Sequence, residues 1–174
     1  MNRQNKNKEK IELEKSYKDY NKIVKISLIL GIVVVSGFII YYLLNPEPGY
    51  VLFGILNEDK KAENYPTVAK ANESIYFYIT VGNYLGRDFT FHLKILKGDN
   101  ETKLKPSGAE NAYLDFQTEN VKLINGENWT SEKLSTSFSE IGDNQILIVE
   151  LYEITDDGKE SFYDILWLRL NITK

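Results

Sequence analysis

The chain has 174 residues, a net charge of -4 and no cysteine. The missing cysteines exclude a disulfide framework, a thiolate metal site and a cysteine nucleophile. The charge is unevenly divided: residues 1–25 carry eight basic and four acidic side chains, and the rest of the chain carries a net charge of -8. Because phosphate binding depends on Lys and Arg, this acidic main part excludes nucleic acid as a partner.

Residues 1–25 form a basic segment, and part of it has the periodicity of a helix. Its apolar residues recur at steps of four, three and four: Leu13, Tyr17, Tyr20 and Val24. This is the spacing of one helix face. We expect the helix to extend the following span and to lay its Lys side chains against anionic lipid headgroups. A helix that docks a partner is the alternative. Residues 1–8 are polar, and we expect them to be disordered.

Residues 26–44 have the composition of a transmembrane helix. Ile26 to Leu44 is a run of 19 residues without a charge, close to the roughly 20 needed to cross a bilayer. Tyr41 and Tyr42 fall where the outer interface should be, and Pro46 follows as a helix stop. Because the basic flank precedes the span, the positive-inside rule predicts a cell-membrane protein with a cytoplasmic N-terminus and an extracellular C-terminal part.

Two other interpretations of this run are weaker. A buried core helix of this length would carry a polar face, and a cleaved signal peptide would have a shorter apolar region followed by small residues. We therefore expect an uncleaved anchor in the lipid bilayer. Within it, Ser27 and Gly31 form a small-xxx-small pair that allows two helices to pack closely.

After a short linker, residues 45–49, the pattern changes to the period of two that is typical of strands. Ile75–Val81 and Phe89–Ile95 alternate clearly, and we expect them to pair as antiparallel neighbours. A turn at 156–158 separates a final hairpin whose two strands are apolar on both faces, as in central strands. The predicted strands are 50–56, 75–81, 89–95, 112–118, 121–124, 135–138, 145–154 and 162–172.

The number and spacing of these strands predict an all-β domain over residues 50–174. We expect an immunoglobulin-like or fibronectin-like antiparallel β-sandwich, preceded by the single transmembrane α-helix. A single closed barrel is the alternative.

No set of residues predicts catalysis or metal binding. His92 is the only histidine, and its alternation with Phe91 and Leu93 places it on the outward face of a strand, where we expect a surface residue. Asp156-Asp157-Gly158 lacks the ligand spacing of an EF-hand and favours a hairpin turn. The paired carboxylates Glu58-Asp59 and Asp99-Glu101 are expected to be solvated. We therefore expect no catalytic residue, no cofactor and no metal.

Four Asn-x-Ser/Thr sequons lie after the predicted span and none before it: Asn72, Asn100, Asn128 and Asn171. Such sequons are acceptors of N-linked glycan on an extracellular surface. Asn100 is the strongest candidate because it lies in a predicted turn.

Three stretches together resemble a known family. They are Tyr65-Pro66-Thr67 with Glu73 and IYFYITVGNYLGRDFTFHLKI; Gly126 with Trp129 and Phe138; and NQILIVELYE followed by ESFYDILWLRLNIT. Their order over residues 50–172 resembles the archaeal membrane-anchored family called domain of unknown function 1616, in its C-terminal β-sandwich region. The family's longer members have more membrane spans. The resemblance implies a sandwich in the archaeal cell envelope and carries over no functional residue.

The sequence thus favours a non-enzymatic, membrane-anchored extracellular module. Its partner would be another envelope or membrane protein, or a glycan, and it would act as a binding or structural component or as an accessory subunit of a membrane complex. The alternative is an envelope enzyme, or the substrate-binding piece of one, for example in surface glycan metabolism. A concave pocket with buried, mutually bonded titratable side chains would favour the enzyme.

Overall fold

The computed structural model describes the backbone of residues 3–45 and 48–174, and the side chains of residues 12–45 and 48–174. The chain divides into two compact units, Met1–Glu47 and Pro48–Lys174. In the described residues the first unit contains one helix and the second contains all of the strands. Pro46, the predicted helix stop, and part of the predicted linker lie outside the described residues.

The helix of the first unit, α1, runs without interruption from Arg3 to Leu44. Its part from Glu12 to Leu44 is long and apolar enough to cross a membrane, and its most apolar window is not buried. The prediction that residues 1–8 are disordered is wrong for residues 3–8, which continue the helix; Met1 and Asn2 lie outside the described residues.

The second unit contains twelve strands within residues 48–174. Each predicted strand has a counterpart, and four short strands (β2, β5, β6 and β9) were not predicted. The bounds are β1 Tyr50–Leu56, β2 Val68–Lys70, β3 Ile75–Tyr84, β4 Phe89–Gly98, β5 Lys103–Lys105, β6 Gly108–Glu110, β7 Tyr113–Gln117, β8 Val121–Leu123, β9 Asn128–Thr130, β10 Leu134–Thr136, β11 Gly142–Ile154 and β12 Glu160–Thr173.

The strands form two main sheets and a small hairpin. The smaller sheet has the order β1-β3-β10, with β9 also pairing β3, and the larger has the order β2-β12-β11-β4-β7, with β8 also pairing β4. Strands β5 and β6 form the separate hairpin. The orders β1-β3-β10 and β12-β11-β4 are those of the two sheets of an immunoglobulin-like sandwich. The predicted β-sandwich is confirmed, and the closed barrel is not the fold.

One predicted pairing is wrong. Strands β3 and β4 are consecutive and both alternate, but they lie in different sheets: β3 pairs with β1, and β4 pairs with β11. The connection at 85–88 carries the chain across the sandwich and does not close a hairpin. Alternation shows only that one face of each strand is buried, which is equally true of neighbours in one sheet and of strands facing each other across the core.

The core lies between the two sheets and is built from the inward faces of the long strands. Phe77, Ile79 and Val81 of β3 face Phe91 and Leu93 of β4 across it, and all are at most 1% exposed. These are the alternating apolar positions that predicted both strands. Burial of so many apolar side chains is the main stabilising contribution to this unit.

The final hairpin is confirmed, with a turn between β11 and β12. Strand β11 is central and is almost fully buried from Ile146 to Leu151. Strand β12 differs from the prediction, because most of its side chains are partly or fully exposed. Its other neighbour, β2, reaches only residues 171–173. The rest of its outer edge has no strand partner among the described residues, so β12 is largely an edge strand.

Candidate functional site

The outward side of the smaller sheet carries a group of tyrosine and leucine side chains. Alternation in β1 and β3 turns Val51, Phe53 and the odd-numbered residues of β3 into the core, and therefore turns the intervening residues outward. Tyr50 is 59% exposed, Leu52 42% and Tyr76 40%, and Tyr78 and Tyr84 are half-buried. We call these five residues the aromatic face: Tyr50, Leu52, Tyr76, Tyr78 and Tyr84.

At one end of the aromatic face the rings are held in place. Tyr50 and Tyr84 are paired across β1 and β3 and stack with centroids 5.0 Å apart. The Tyr84 hydroxyl donates to Asn128 Oδ1 at 3.1 Å and accepts from Asn128 Nδ2 at 3.0 Å. Gly82 makes room for this arrangement, because a Cβ there would lie 2.2 Å from Asn128 Oδ1 and 3.0 Å from the Tyr84 ring.

At the other end, two lysines lie over the rings. Lys133 Nζ lies 4.0 Å from the centroid of Tyr76, and Lys60 Nζ lies 4.9 Å from that of Tyr78. Both distances are within the range of a cation–π interaction. Lys133 also pairs with Glu58 at 3.0 Å. The rings are thereby restrained while their edges stay accessible.

Beside Tyr76 the surface opens into a groove of about 410 Å³. The buried Asn57 shapes its rim: its Oδ1 accepts from Lys61 N–H at 2.9 Å, and its Nδ2 donates to the Glu63 carbonyl at 2.8 Å. Glu58 and Asp59, which the sequence analysis placed in solvent, are exposed on this rim. The charged residues that line the groove are mostly acidic: Glu58, Asp59, Glu63 and Glu73, beside Lys61.

The aromatic face has the chemistry of a binding surface. Tyrosine combines a large apolar ring with a hydroxyl, loses little conformational entropy when it is ordered, and is enriched where proteins bind one another. Rings restrained by stacking, hydrogen bonds and cation–π contacts have already lost part of the freedom that binding would otherwise remove. The face therefore suits a partner that covers exposed aromatic rings.

His92 is not the surface residue that the sequence predicted. Its side chain points away from the main core, as alternation predicted, but it is 2% exposed and not a surface residue. The ring stacks on Tyr152 of β11, and the Glu160 carboxylate lies 3.7 Å from His92 Nε2. The outer side of the larger sheet is covered at this point, so a residue facing outward there is still buried.

His92 is also electrostatically unusual. Neither ring nitrogen has a hydrogen-bond partner among the described residues. Burial lowers the pKa of His92; the Glu160 carboxylate acts in the opposite direction, and the Lys94 ammonium adds to the lowering. The Asn120 side chain also raises the pKa of His92 slightly, although it is not placed to form a hydrogen bond with the imidazole. The imidazole is therefore neutral at physiological pH.

Glu150 is a buried carboxylate that the sequence analysis missed. It is 3% exposed, accepts the Ala109 N–H at Oε1 at 2.6 Å and accepts the Tyr152 hydroxyl at Oε2 at 2.9 Å. Burial first, and the Glu150 carboxylate second, raise the pKa of Tyr152 well above its usual range. A single acidic residue within the apolar run of β11 was the available signal.

The Glu150–Tyr152 pair joins a buried and a half-buried titratable side chain, but it lines none of the described cavities. Glu150 instead holds the β5–β6 hairpin against the larger sheet. In that hairpin and its flank, Leu104, Ala109 and Ala112 pack over Leu96, Ile146 and Ile148. The Glu150 hydrogen bond and this apolar packing together fix the β5–β6 hairpin to the larger sheet.

The structure places the other predicted residues as follows. Asn72 has a positive φ of 63° in a turn, Asn100 is exposed in a turn, and Asn128 is exposed on β9. Asn171 is exposed on β12 and accepts the Asn144 N–H at 3.1 Å. Ser27 and Gly31 lie in α1. The structure does not bring the sequons together.

The Asp156-Asp157-Gly158 segment is the predicted turn. The Gly158 N–H donates to the Thr155 carbonyl at 2.8 Å, and Gly158 has a positive φ of 78°. Lys159 pairs with Asp157 at 2.5 Å. Within the described residues, no group of three or more His, Asp or Glu side chains is placed to hold a metal ion.

No family model matches the chain, and no curated protein sequence matches it. Solved structures similar to it include a β-glucosidase from Listeria innocua, with 14% identity, a TM-score of 0.45, and coverage of 72% of this chain and 16% of that one. The sporulation control protein from Bacillus subtilis has 10% identity, a TM-score of 0.43, and coverage of 72% and 50%.

The CARDB domain of a Pyrococcus furiosus protein, in complex with di-metal ions, has 11% identity, a TM-score of 0.44, and coverage of 73% of this chain and 90% of that one. This chain therefore spans only 16% of the length of the β-glucosidase and about half of the sporulation protein. At such low identities and TM-scores, an activity, ligand or metal of these proteins cannot be transferred to this chain.

Proposed function

We propose that this chain is a membrane-anchored, non-catalytic binding module of the cell envelope, and that the aromatic face is the surface with which it binds a protein partner. The helix α1 anchors it with the N-terminus in the cytoplasm, so that the sandwich lies outside the cell. Because the chain resembles domain of unknown function 1616, the proposed envelope is that of an archaeal cell.

The observation that carries the proposal is the aromatic face itself. A cluster of exposed tyrosine and leucine side chains on a soluble domain is costly to leave open to water and is typical of interaction sites. Tyr50, Leu52 and Tyr76 are each at least 40% exposed, yet the neighbouring Tyr84 is fixed by Asn128. Exposed apolar area on a restrained scaffold favours binding over a purely structural role.

The acidic groove beside Tyr76 extends this surface. It contains four carboxylates, two of them, Glu58 and Glu63, next to lysines that neutralise them only in part. A partner with a basic rim around an apolar centre would match both parts of the surface.

The proposal is tested with a photo-crosslinking amino acid in the full chain, expressed in its native membranes. Leu52, on the aromatic face, is compared with Leu114, an exposed leucine of β7 in the other sheet (42% and 56% exposed). We expect a discrete crosslinked protein product from position 52 and none from position 114. The product should disappear in Tyr76→Ala and Tyr84→Ala variants that still carry the crosslinker.

Two results would oppose the proposal. Equal crosslinking from both leucines would mean that the face has no preferred partner. A product that glycosidase digestion removes, with no protein attached, would mean that the face binds a glycan in place of a protein.

A further inference from the structure

The uninterrupted course of α1 brings two sequence features onto one helix face. Because α1 is a single helix from Arg3 to Leu44, the periodicity of its basic segment continues in register into its apolar segment. Steps of four and three alternate throughout. We call this series the helix stripe: Leu13, Tyr17, Tyr20, Val24, Ser27, Gly31, Val34, Phe38 and Tyr41.

Within residues 12–25 the helix stripe is apolar, and of the other positions there only Ile23 is apolar. Between residues 12 and 25 all charged side chains lie off the stripe, whereas Leu13, Tyr17 and Tyr20 on it are 59–67% exposed. Alternating steps of three and four are the repeat of a left-handed coiled coil, which keeps one seam facing a partner helix over its whole length.

The surface of the stripe has a shape that fits a side chain of a second helix. Leu13, Ser16, Tyr17 and Tyr20 border a hollow of about 340 Å³. Residues at i, i+3, i+4 and i+7 are the four that form the hole in knobs-into-holes packing. In a parallel pair in register, the side chain that enters this hole is the partner's residue at the position of Tyr17. Ser16 leaves space for that ring.

We propose that the chain forms a parallel homodimer through the helix stripe of α1. The partner helix must cover an apolar seam both in the aqueous segment and in the membrane, so it must itself cross this boundary as one helix. A second copy, inserted like this chain, does so in the same direction. A second copy of this chain meets these conditions. In a parallel pair each stripe residue meets its own counterpart, and from Leu13 to Tyr41 no charged residue lies on the seam.

The two parts of the stripe contribute differently. In the aqueous segment, burial of Leu13, Tyr17, Tyr20 and Val24 removes apolar surface from water and drives association. In lipid that force is absent, and helices associate by close packing at small residues. Gly31 presents no side chain, and a Cβ there would meet nothing within 4 Å, so two backbones can approach closely at this level.

The chain offers matched pairs of positions for a crosslinking test, and it has no native cysteine to interfere. Single substitutions Val24→Cys and Ser27→Cys lie on the stripe, whereas Lys22→Cys and Ser36→Cys lie on the opposite side. In membranes containing the full chain, oxidation should give disulfide-linked dimers at 24 and 27. The yields at 22 and 36 should be about tenfold lower, since only stripe positions meet their counterparts.

A second measurement separates close packing from chance collision. Gly31→Leu should weaken dimerisation of the full chain in lipid vesicles about tenfold, because a large side chain separates the helices. Ser36→Leu lies on the opposite side of the helix and should change it by less than about twofold. Single-molecule photobleaching of the labelled chain at low density gives the dimer fraction.

Crosslinking that is equal on both sides of the helix would overturn the proposal. So would equal effects of Gly31→Leu and Ser36→Leu, or a chain that stays monomeric at all densities. Crosslinks from 24 and 27 to a different protein would assign the stripe to a heteromeric partner and would also overturn it. The dimer proposal rests on the proposed membrane anchoring by α1, but the aromatic face takes no part in these measurements, so the proposed binding surface and the proposed dimer stand or fall separately.

Discussion

His92 and Tyr152 lie face to face on the outer side of the larger sheet, with ring centroids 5.6 Å apart and planes inclined by 12°. They are direct partners across β4 and β11. The charged groups nearest to the imidazole are Glu160 and Lys94, which also pair with each other. Burial without a hydrogen-bond partner favours the neutral imidazole, so the stability of the fold is linked to protonation of this ring.

We predict that the sandwich loses stability as the pH falls below about 6.5, the ordinary pKa of histidine. The folded-state pKa of His92 is lowered, so the unfolded chain binds the proton more readily. The contribution of the neutral ring is complete above the unfolded-state pKa and is lost as the pH falls below it. Chemical denaturation of residues 48–174 between pH 5 and 8 measures this slope.

Two substitutions isolate the histidine from other titrating groups. His92→Phe keeps a ring against Tyr152 without a titrating group and should remove the part of the slope that lies near pH 6. His92→Ala should cost about 2–4 kcal/mol, as truncation of a buried side chain does, whereas the surface position predicted from sequence would give about 0.5 kcal/mol or less. An unchanged slope in His92→Phe would contradict the linkage.

The Glu150 carboxylate should control the order of the β5–β6 hairpin. Glu150→Ala removes the acceptor of the Ala109 N–H and leaves that amide and the Tyr152 hydroxyl without their partner. We expect a loss of about 1–3 kcal/mol, the cost of unsatisfied buried donors. Hydrogen exchange should accelerate more at Ala109 than at the buried amides of β11, which report the loss of global stability.

Glu150→Gln is the matched control for that experiment. It keeps one acceptor oxygen and should retain more of the protection at Ala109 than Glu150→Ala does. Equal exchange at Ala109 in the wild-type chain and in Glu150→Ala would show that apolar packing alone holds the hairpin.

The core faces of β3 and β4 are tested by aromatic truncation. Phe77 and Phe91 are 1% and 0% exposed, and Phe77→Ala or Phe91→Ala should each cost about 3–5 kcal/mol. Tyr113 is 77% exposed, and Tyr113→Ala should change stability by no more than about 0.5 kcal/mol. Thermal and denaturant melts of residues 48–174 give all three values. Near-neutral effects at both phenylalanines would contradict the assignment of the inner faces.

Sequence alone predicted the fold where one local pattern determined the outcome. Alternation located β3 and β4, and Asp-Gly between two apolar runs located the β11–β12 turn. The pairing of the strands could not be predicted, because β3 and β4 show the same alternation whether they are neighbours or face each other across the core. The burial of His92 was missed for a related reason: it depends on Tyr152, 60 residues away in sequence.

The aromatic face was only partly predictable. Tyr76 and Tyr78 follow from alternation, but their proximity to Tyr50 depends on the pairing of β1 with β3. The role of Gly82 depends on β9, a strand of three residues that the sequence did not predict. Short strands give too few residues for periodicity to show.

The proposed orientation predicts where proteases and glycan reach the chain. Protease added to intact cells should degrade the sandwich and spare an epitope at the N-terminus, because the basic residues precede the span. Mass spectrometry of the native protein should find glycan on at least one of Asn72, Asn100 and Asn128, with Asn100 the best candidate. A protected C-terminal unit would reverse the orientation, and sequons without glycan would remove the glycosylation argument.

The last prediction concerns Gly82, which shapes the aromatic face without belonging to it. Its Cβ would lie 2.2 Å from Asn128 Oδ1 and 3.3 Å from Leu52 Cβ, so Gly82→Ala must displace the Asn128 amide that holds Tyr84. Because Asn128 is exposed and its amide can rotate away, we expect a stability loss of about 1 kcal/mol and no unfolding.

The larger effect of Gly82→Ala should be on binding, because the freed Tyr84 ring no longer presents an ordered surface. Crosslinking from position 52 should fall, whereas Gly54→Ala, whose Cβ meets only Thr80 Cγ2 at 3.1 Å, should leave it unchanged. In an Asn128→Ala background the clash is absent, so Gly82→Ala should cost less stability there than in the wild-type chain, a coupling that a double-mutant cycle measures. Additive costs in that cycle, together with unchanged crosslinking, would mean that Asn128 does not fix the Tyr84 ring and that Gly82 has no part in shaping the face.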